Sequence, residues 1–275
     1  MPKLRARSLL KELGISSCPV DPYAIADKIG VFVKEDDVDG YAGMILLVEG
    51  RALISIRRST REEARKRFTV AHELGHYKIP GHLSPDVPSF RFTDEDLNTF
   101  QGHAKKEVEA NQFAAELLMP EDAFLARIEG EDLGCQLVQE LMEEFGTSLT
   151  ATCLRFTQVE KTHALVYSVY GNVKWVCRGP EFPHSVAGPG KLHSESIAMN
   201  FYRGNGCSKE FETVAPDCWL QQRRADRGVE LQELALPLPH YNAVLSFLTV
   251  YDAEETGSED GPDYGELDGV LRFRK

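Results

Sequence analysis

Residues 67–76 of the chain are RFTVAHELGH and contain the motif H-E-x-x-H, formed by His72, Glu73 and His76. The motif lies in a segment whose apolar and small residues recur at helical spacing: Ala64, Phe68, Ala71, Leu74 and Gly75. On a helix, residues four apart project from one face, so both imidazoles can bind one zinc ion. Glu73 beside the first histidine can then act as a general base toward water. The pattern predicts a zinc site on a helix that begins near residue 59 and ends near residue 79.

A catalytic zinc site needs a third protein ligand, and the helix predicted over residues 105–119 can supply it. Glu107 and Asn111 lie one turn apart on that helix, so Glu107 can bind the metal while Asn111 orients a ligand histidine through its other ring nitrogen. The small residue Gly75 permits the close approach of such a second element to the motif helix. Three other residues compete as the third ligand, although a solvent-exposed position is the simpler interpretation of each: Glu109, Glu116 and His103.

Hydrolysis of a peptide at such a site also needs a donor that stabilises the oxyanion of the tetrahedral intermediate. The sequence offers four candidates without choosing among them: Tyr77, His82, His103 and Tyr41. Residues 41–56 have the strand–turn–strand pattern of a β-hairpin with a turn at Gly50. We expect the first strand, residues 41–48, to be an edge on which an extended substrate adds as a further strand.

Length and composition bound the class of the protein and its partners. The 275 residues suggest about two domains, and 31 basic against 43 acidic residues give a net charge of −12. This charge argues against a generally basic nucleic-acid binder, because duplex binding depends first on neutralising phosphates. The longest aliphatic run, residues 44–48, is far shorter than a membrane helix, and the N-terminus lacks the features of a signal peptide, so we expect a cytoplasmic location. The six cysteines have neither zinc-finger nor close pairwise spacing and are expected to be free thiols.

A second motif follows the first and makes the pattern specific to one family. Residues 107–120 match E-x-x-A-N-x-F-A-A-x-L-L-M-P. Together with residues 67–76, this pattern closely resembles the ImmA/IrrE family of bacterial metallopeptidases over about residues 15–125. The resemblance implies His72, His76 and Glu107 as zinc ligands and Glu73 as the general base. Zinc is the expected metal, and the sequence leaves manganese open as the alternative. It also implies that the substrate is a helix-turn-helix repressor, whose cleavage switches on stress-response or mobile-element genes.

The predicted fold class is α+β, with several units along the chain. A zincin-like peptidase domain is expected over residues 1–128, and a helix-turn-helix-like helical unit over residues 129–160. Periodicity changes from helical to strand-like near residue 160, which predicts a C-terminal α/β domain over residues 161–252. IrrE-type members carry a GAF-like sensor domain at this place. Residues 253–275 are acidic and lack an apolar run, so we expect a solvated tail.

The predicted helix-turn-helix unit has an unfavourable charge pattern for reading DNA. Its first helix carries three acidic residues and no basic one: Glu140, Glu143 and Glu144. Its second helix offers only Arg155 and Gln158, with Lys161 just beyond, whereas a reading helix contributes several cationic or amide side chains. We therefore favour a structural or protein-docking role for this unit over direct DNA binding.

The sequence supports two main hypotheses for the function. The first is a zinc-dependent regulatory endopeptidase whose partner is a protein substrate, a small helix-turn-helix repressor, and not a membrane. The alternative is a non-catalytic metal-binding transcription regulator that acts through its helix-turn-helix unit. A closed structural zinc site would need a fourth protein ligand, and no cysteine lies near either motif. This observation favours the open, catalytic site.

Overall fold

The computed structural model describes residues 1–37, 40–48, 50–83, 89–92, 105–221 and 229–252. These residues form a mixed α+β fold with two β-sheets, which confirms the predicted α+β class. The predicted acidic tail and His103 lie outside the described residues. No helix in the described ranges combines the length and the apolar composition that crossing a bilayer requires.

Among the described residues, the first half of the chain contains four helices and a four-stranded sheet. The helices are α1 (Pro2–Glu12), α2 (Pro22–Lys28), α3 (Glu63–Lys78) and α4 (Lys105–Leu118). The strands are β1 (Val31–Asp36), β2 (Gly43–Val48), β3 (Arg51–Arg57) and β4 (Ser89–Phe92). Their order in the sheet is β1-β3-β2-β4, with β1 parallel to β3 and the other pairs antiparallel.

Local sequence signals account for most of these boundaries. Helix α2 begins at Pro22 because the Asp21 side chain accepts a hydrogen bond from the backbone N–H of Tyr23 at 2.9 Å. The β2–β3 hairpin turns at Gly50, whose φ is +79°. Helix α3 begins at Glu63, a few residues later than predicted, and no side chain caps its N-terminus.

The prediction that residues 41–48 form a free edge is wrong. Strand β2 lies between two neighbours, because β4 pairs with it from Gly43↔Phe92 to Leu46↔Ser89. The sequence did not reveal this pairing, since β4 is short and follows a long connection after α3. Strand β4, and not β2, is therefore the last strand of the sheet at the end opposite β1 in the described residues.

In the described part of the second half, four more helices lie around a six-stranded antiparallel sheet. The helices are α5 (Glu121–Ile128), α6 (Cys135–Phe145), α7 (Leu149–Glu160) and α8 (Ile197–Tyr202). The strands are β5 (Ala164–Val169), β6 (Asn172–Arg178), β7 (Gly190–Lys191), β8 (Glu212–Val214), β9 (Val229–Leu238) and β10 (Ala243–Asp252). The sheet order is β7-β6-β5-β10-β9-β8. Patterning predicted the longer elements but not the short α5, α8, β7 and β8.

Side chains alternate across the six-stranded sheet, so each face has its own core. Leu165 and Phe247 join one apolar cluster with Phe124, Phe145 and Phe156 of helices α5–α7. The opposite face is covered by α8 and the loops around it. Helices α6 and α7 thus share a core with the C-terminal sheet, while the division of the chain into separate domains stays a prediction.

Helix α7, predicted as the second helix of a helix-turn-helix, is largely buried. Arg155 is only 1% exposed and donates from its guanidinium to Glu116 Oε2 at 2.7 Å, so it is not available to contact DNA. Gln158 is exposed, as are Glu160 and Lys161 at the end of the helix. These contacts agree with a structural role for α7.

Glu116 is a fully buried carboxylate that joins three separate helices. Besides Arg155 on α7, it binds Arg7 Nε on α1 at 2.6 Å and accepts the backbone N–H of Glu121 at the start of α5 at 3.2 Å. An ionised group is stable in the interior only when charges and hydrogen bonds of this kind surround it. The competing interpretation of Glu116 as a metal ligand is therefore wrong.

We expect Glu116→Gln to lower the free energy of unfolding by about 3 kcal/mol, because it leaves the buried Arg155 without a countercharge. Urea denaturation of the purified protein measures this loss. Glu121→Gln is the matched control, since Glu121 also pairs with Arg7 but is about a third exposed, and it should cost less than about 1 kcal/mol. Equal losses in the two variants would contradict the role given to Glu116.

Candidate metal centre

Helices α3 and α4 bring two histidines and a carboxylate together. His72 and His76 lie one turn apart on α3, and their Nε2 atoms are 3.1 Å from each other. Glu107 on α4 reaches both, with Oε2 3.1 Å from His72 Nε2 and Oε1 3.4 Å from His76 Nε2. Their ligand atoms all lie within 4.8 Å of one another, which is close enough for one ion. Two imidazoles and a carboxylate are a common ligand set for catalytic zinc.

This arrangement depends on the close packing of α3 against α4. Gly75 lies between the two histidines, and a Cβ atom there would be 3.2 Å from Ala110 Cα, Ala110 O and Phe113 Cβ. A side chain at this position would make the α4 backbone move back by a few tenths of an ångström, so glycine favours the close approach. The contact places Glu107, one turn before Ala110, beside the imidazoles. The expectation that Gly75 permits close approach agrees with this contact.

Burial and mutual contact set the protonation states of these groups. Burial disfavours the charged imidazolium and lowers the pKa of His76 to about 4. Burial alone would raise the pKa of Glu107, but hydrogen bonds with His72 and His76 outweigh it and lower the pKa to about 2. At neutral pH the site therefore presents a neutral His76 and an ionised Glu107, which are the forms that bind metal ions.

Glu73 is completely buried beside this cluster, and neither of its carboxylate oxygens has a hydrogen-bond partner among the described residues. Burial, and then the charge of Glu107, raise the pKa of Glu73 well above its usual value. A buried carboxylate without partners is costly, so its presence needs an explanation. A divalent cation with a water molecule beside Glu73 would supply the missing charge and donor. The residues present therefore fit a bound metal.

Asn111 lies where the sequence predicted, one turn beyond Glu107. His72 Nδ1 donates to Asn111 Oδ1 at 2.9 Å. With the proton held on Nδ1, His72 would offer the lone pair of Nε2, the nitrogen nearest Glu107 and His76, to a bound metal ion.

His82 orients His76 by a hydrogen bond between their ring nitrogens, a role that the sequence did not reveal. It is 2% exposed, with Nδ1 3.1 Å from His76 Nδ1 and Nε2 3.0 Å from Glu109 Oε2. Because the carboxylate accepts from His82 Nε2, His82 Nδ1 can accept from His76 Nδ1. With this proton on Nδ1, His76 would offer the lone pair of Nε2 to a bound metal ion. The one available signal was the Pro80-Gly81 turn, which reverses the chain just after α3 and brings His82 back.

The remaining predicted residues have other surroundings. The two ring nitrogens of His82 form hydrogen bonds with His76 and Glu109. Glu109 therefore binds His82 and does not take the place of Glu107 as the third ligand. Tyr77 packs against the apolar cluster of the first half of the chain. The carbonyl of Tyr41 accepts from Arg57 Nε at 3.0 Å, two residues before Gly43. A Cβ at Gly43 would lie 3.0 Å from Glu73 Oε1, so the start of β2 forms one wall of the site.

Comparisons with known proteins agree with this geometry. Residues 26–157 match the model of a peptidase family described as the IrrE N-terminal-like domain, a range that includes α3 and α4. No curated protein sequence matches this chain significantly. A solved structure of a Mycobacterium tuberculosis transcriptional regulator superposes with a TM-score of 0.50 at 12% identity, covering 90% of this chain and 76% of that chain. At this identity the likeness concerns the fold alone. The chain therefore contains an IrrE N-terminal-like peptidase domain, and the family resemblance predicted from its two motifs is confirmed.

Proposed function

We propose that the protein is a zinc-dependent endopeptidase that cleaves a helix-turn-helix repressor and thereby derepresses stress-response or mobile-element genes. The observation that carries the peptidase activity is Glu73, a buried carboxylate without a partner beside two histidines and Glu107. The repressor substrate and the regulated genes rest on the ImmA/IrrE resemblance.

His72, His76 and Glu107 would hold the metal, with zinc as the expected ion and manganese as the alternative. The bound ion would act as a Lewis acid toward water and the scissile carbonyl. Asn111 and His82 orient the two imidazoles, each through the ring nitrogen that does not face Glu107. The protein thus presents three prearranged donors, so little reorganisation is needed when the ion binds.

Glu73 would transfer the proton of the attacking water during peptide hydrolysis. Its carboxylate takes a proton from the attacking water and passes it to the nitrogen of the scissile peptide bond. The nitrogen then leaves as a neutral amine and not as an anion. Burial and the neighbouring Glu107 raise the pKa of Glu73, which makes its carboxylate a stronger base than an exposed glutamate.

The wider assignments follow from the same resemblance. Residues 1–128 are proposed as a zincin-like peptidase domain, residues 129–160 as a helix-turn-helix-like unit and residues 161–252 as a GAF-like sensor. With β2 enclosed by β3 and β4, an extended substrate would have to pair with the outer edge of β4. The alternative, a non-catalytic regulator acting through α6 and α7, has less support because Arg155 is buried and paired with Glu116.

Two variants separate metal binding from catalysis. Glu73→Gln should keep its metal and lose about 10²–10⁴-fold in cleavage rate, because the general base is gone. His72→Ala should lose both metal and cleavage. Metal analysis of the purified protein, and incubation with a helix-turn-helix repressor encoded beside its gene, measure the two effects. Glu63→Gln, an exposed change on the same helix, is the control and should match the wild type.

Wild-type cleavage by Glu73→Gln would refute the proposed mechanism. Retention of metal by a protein that cuts neither the repressor nor an unfolded protein would favour the non-catalytic regulator. Cutting of an unrelated unfolded protein as fast as the repressor would point to a general peptidase.

Gly75→Ala should weaken zinc binding by about 10–100-fold, the usual effect of displacing a group that supports a ligand. The added methyl would press on the Ala110 backbone and move Glu107 away from the histidines. Competition with a chromophoric chelator measures the affinity. Gly188→Ala is the control, since nothing lies within 4 Å of a Cβ at Gly188. Unchanged affinity in Gly75→Ala would show that the close helix contact is dispensable for the site.

A further inference from the structure

A second cluster of potential metal ligands lies in the C-terminal unit, outside the peptidase domain. His193 and Glu195 precede α8, and Cys218 ends the 3₁₀ turn Pro216–Cys218. Cys218 Sγ lies 3.3 Å from His193 Nδ1. The ligand atoms of all three residues lie within 4.8 Å of one another. Cys218 is buried and Glu195 is exposed, so the cluster connects the interior with the surface.

One buried carboxylate holds both segments that carry the cluster. Glu233 is 0% exposed and accepts the backbone N–H of Ile197 at 2.8 Å and of Ala198 at 2.9 Å. It also accepts the indole N–H of Trp219 at 2.7 Å. These donors lie just after Glu195 on one segment and just after Cys218 on the other. The two segments that carry the potential ligands are therefore fixed next to each other before any ion binds, which lowers the entropic cost of binding.

The charge and the chemistry of the cluster favour one class of ion. Asp217, Glu195 and Glu233 place negative charge around the Cys218 sulfur. A thiolate, an imidazole and a carboxylate are ligands of zinc and similar thiophilic divalent metals. Calcium and magnesium bind oxygen ligands instead.

We propose that His193, Glu195 and Cys218 bind a second divalent metal ion of the zinc class. Cys218 would lose its thiol proton to solvent as the sulfur–metal bond forms. Three protein ligands leave a fourth position to water or an outside ligand, on the side where Glu195 meets solvent. The ion would tie the segment before α8 to the 3₁₀ turn. The proposal does not depend on the peptidase function, because it uses none of residues 26–157.

Cobalt(II) titration of the full-length, metal-free protein tests the proposal. A thiolate–cobalt bond gives a near-ultraviolet charge-transfer band, which His72, His76 and Glu107 cannot produce because they include no thiol. We expect the wild type to bind about two equivalents and to show this band. His193→Ala and Cys218→Ser should each bind about one equivalent and lose the band.

Two controls separate this site from the peptidase centre and from other thiols. His72→Ala should lose one equivalent but keep the band, so failure at one site is distinguished from failure at the other. Cys207→Ser removes a half-buried thiol of the same unit and should behave like the wild type. Circular dichroism checks the fold, and His193→Ala keeps the test valid if Cys218→Ser misfolds. A wild type without the band, or a band that survives in His193→Ala, would overturn the proposal.

Discussion

The contact of Gly75 with the α4 backbone is the constraint on which the candidate metal centre depends. The H-E-x-x-H helix alone supplies two imidazoles and a base, which is not a complete catalytic site. Glu107 completes the set only because α4 lies within van der Waals distance of α3 at Ala110 and Phe113. Apolar residues on both sides of this contact, among them Leu74 and Leu117, are fully buried. The burial of that surface stabilises the helix pair and so positions the ligands.

The buried carboxylates of this molecule differ in the hydrogen-bond donors and charges that surround them. Glu116 and Glu233 are each surrounded by donors, and both join segments that are distant in sequence. Glu107 has two histidines as partners. Glu73 is equally buried but has no such partners among the described residues. The contrast separates carboxylates whose partners stabilise the fold from Glu73, whose buried and unpartnered oxygens are the basis of its proposed role as general base.

The C-terminal half of the chain contacts helix α3, which carries His72 and His76, directly. Tyr241, between β9 and β10, donates to Glu62 at the start of α3 at 2.9 Å. Near this bond, a cavity of about 350 Å³ is lined by residues of α3, of α6–α7 and of the sheet, including Phe68, Tyr167 and Trp175. Phe68 lies one helical turn before His72. A change in the packing of the sheet could therefore reach His72, a proposed metal ligand, through Phe68.

Local patterns in the sequence were sufficient to predict the longer helices, the placement of His72 and His76 on one helix face, and the choice of Glu107 with Asn111. Each of these depends on helical spacing, which is a property of neighbouring residues. The sequence could not show that His82 returns to His76, that β4 covers the edge of β2, or that His193 meets Cys218. It offered Arg155 as one of the few side chains that could contact DNA, but could not show that Arg155 pairs with Glu116 in the interior. These features were decided by tertiary packing, because they join residues whose separation along the chain carries no periodic signal.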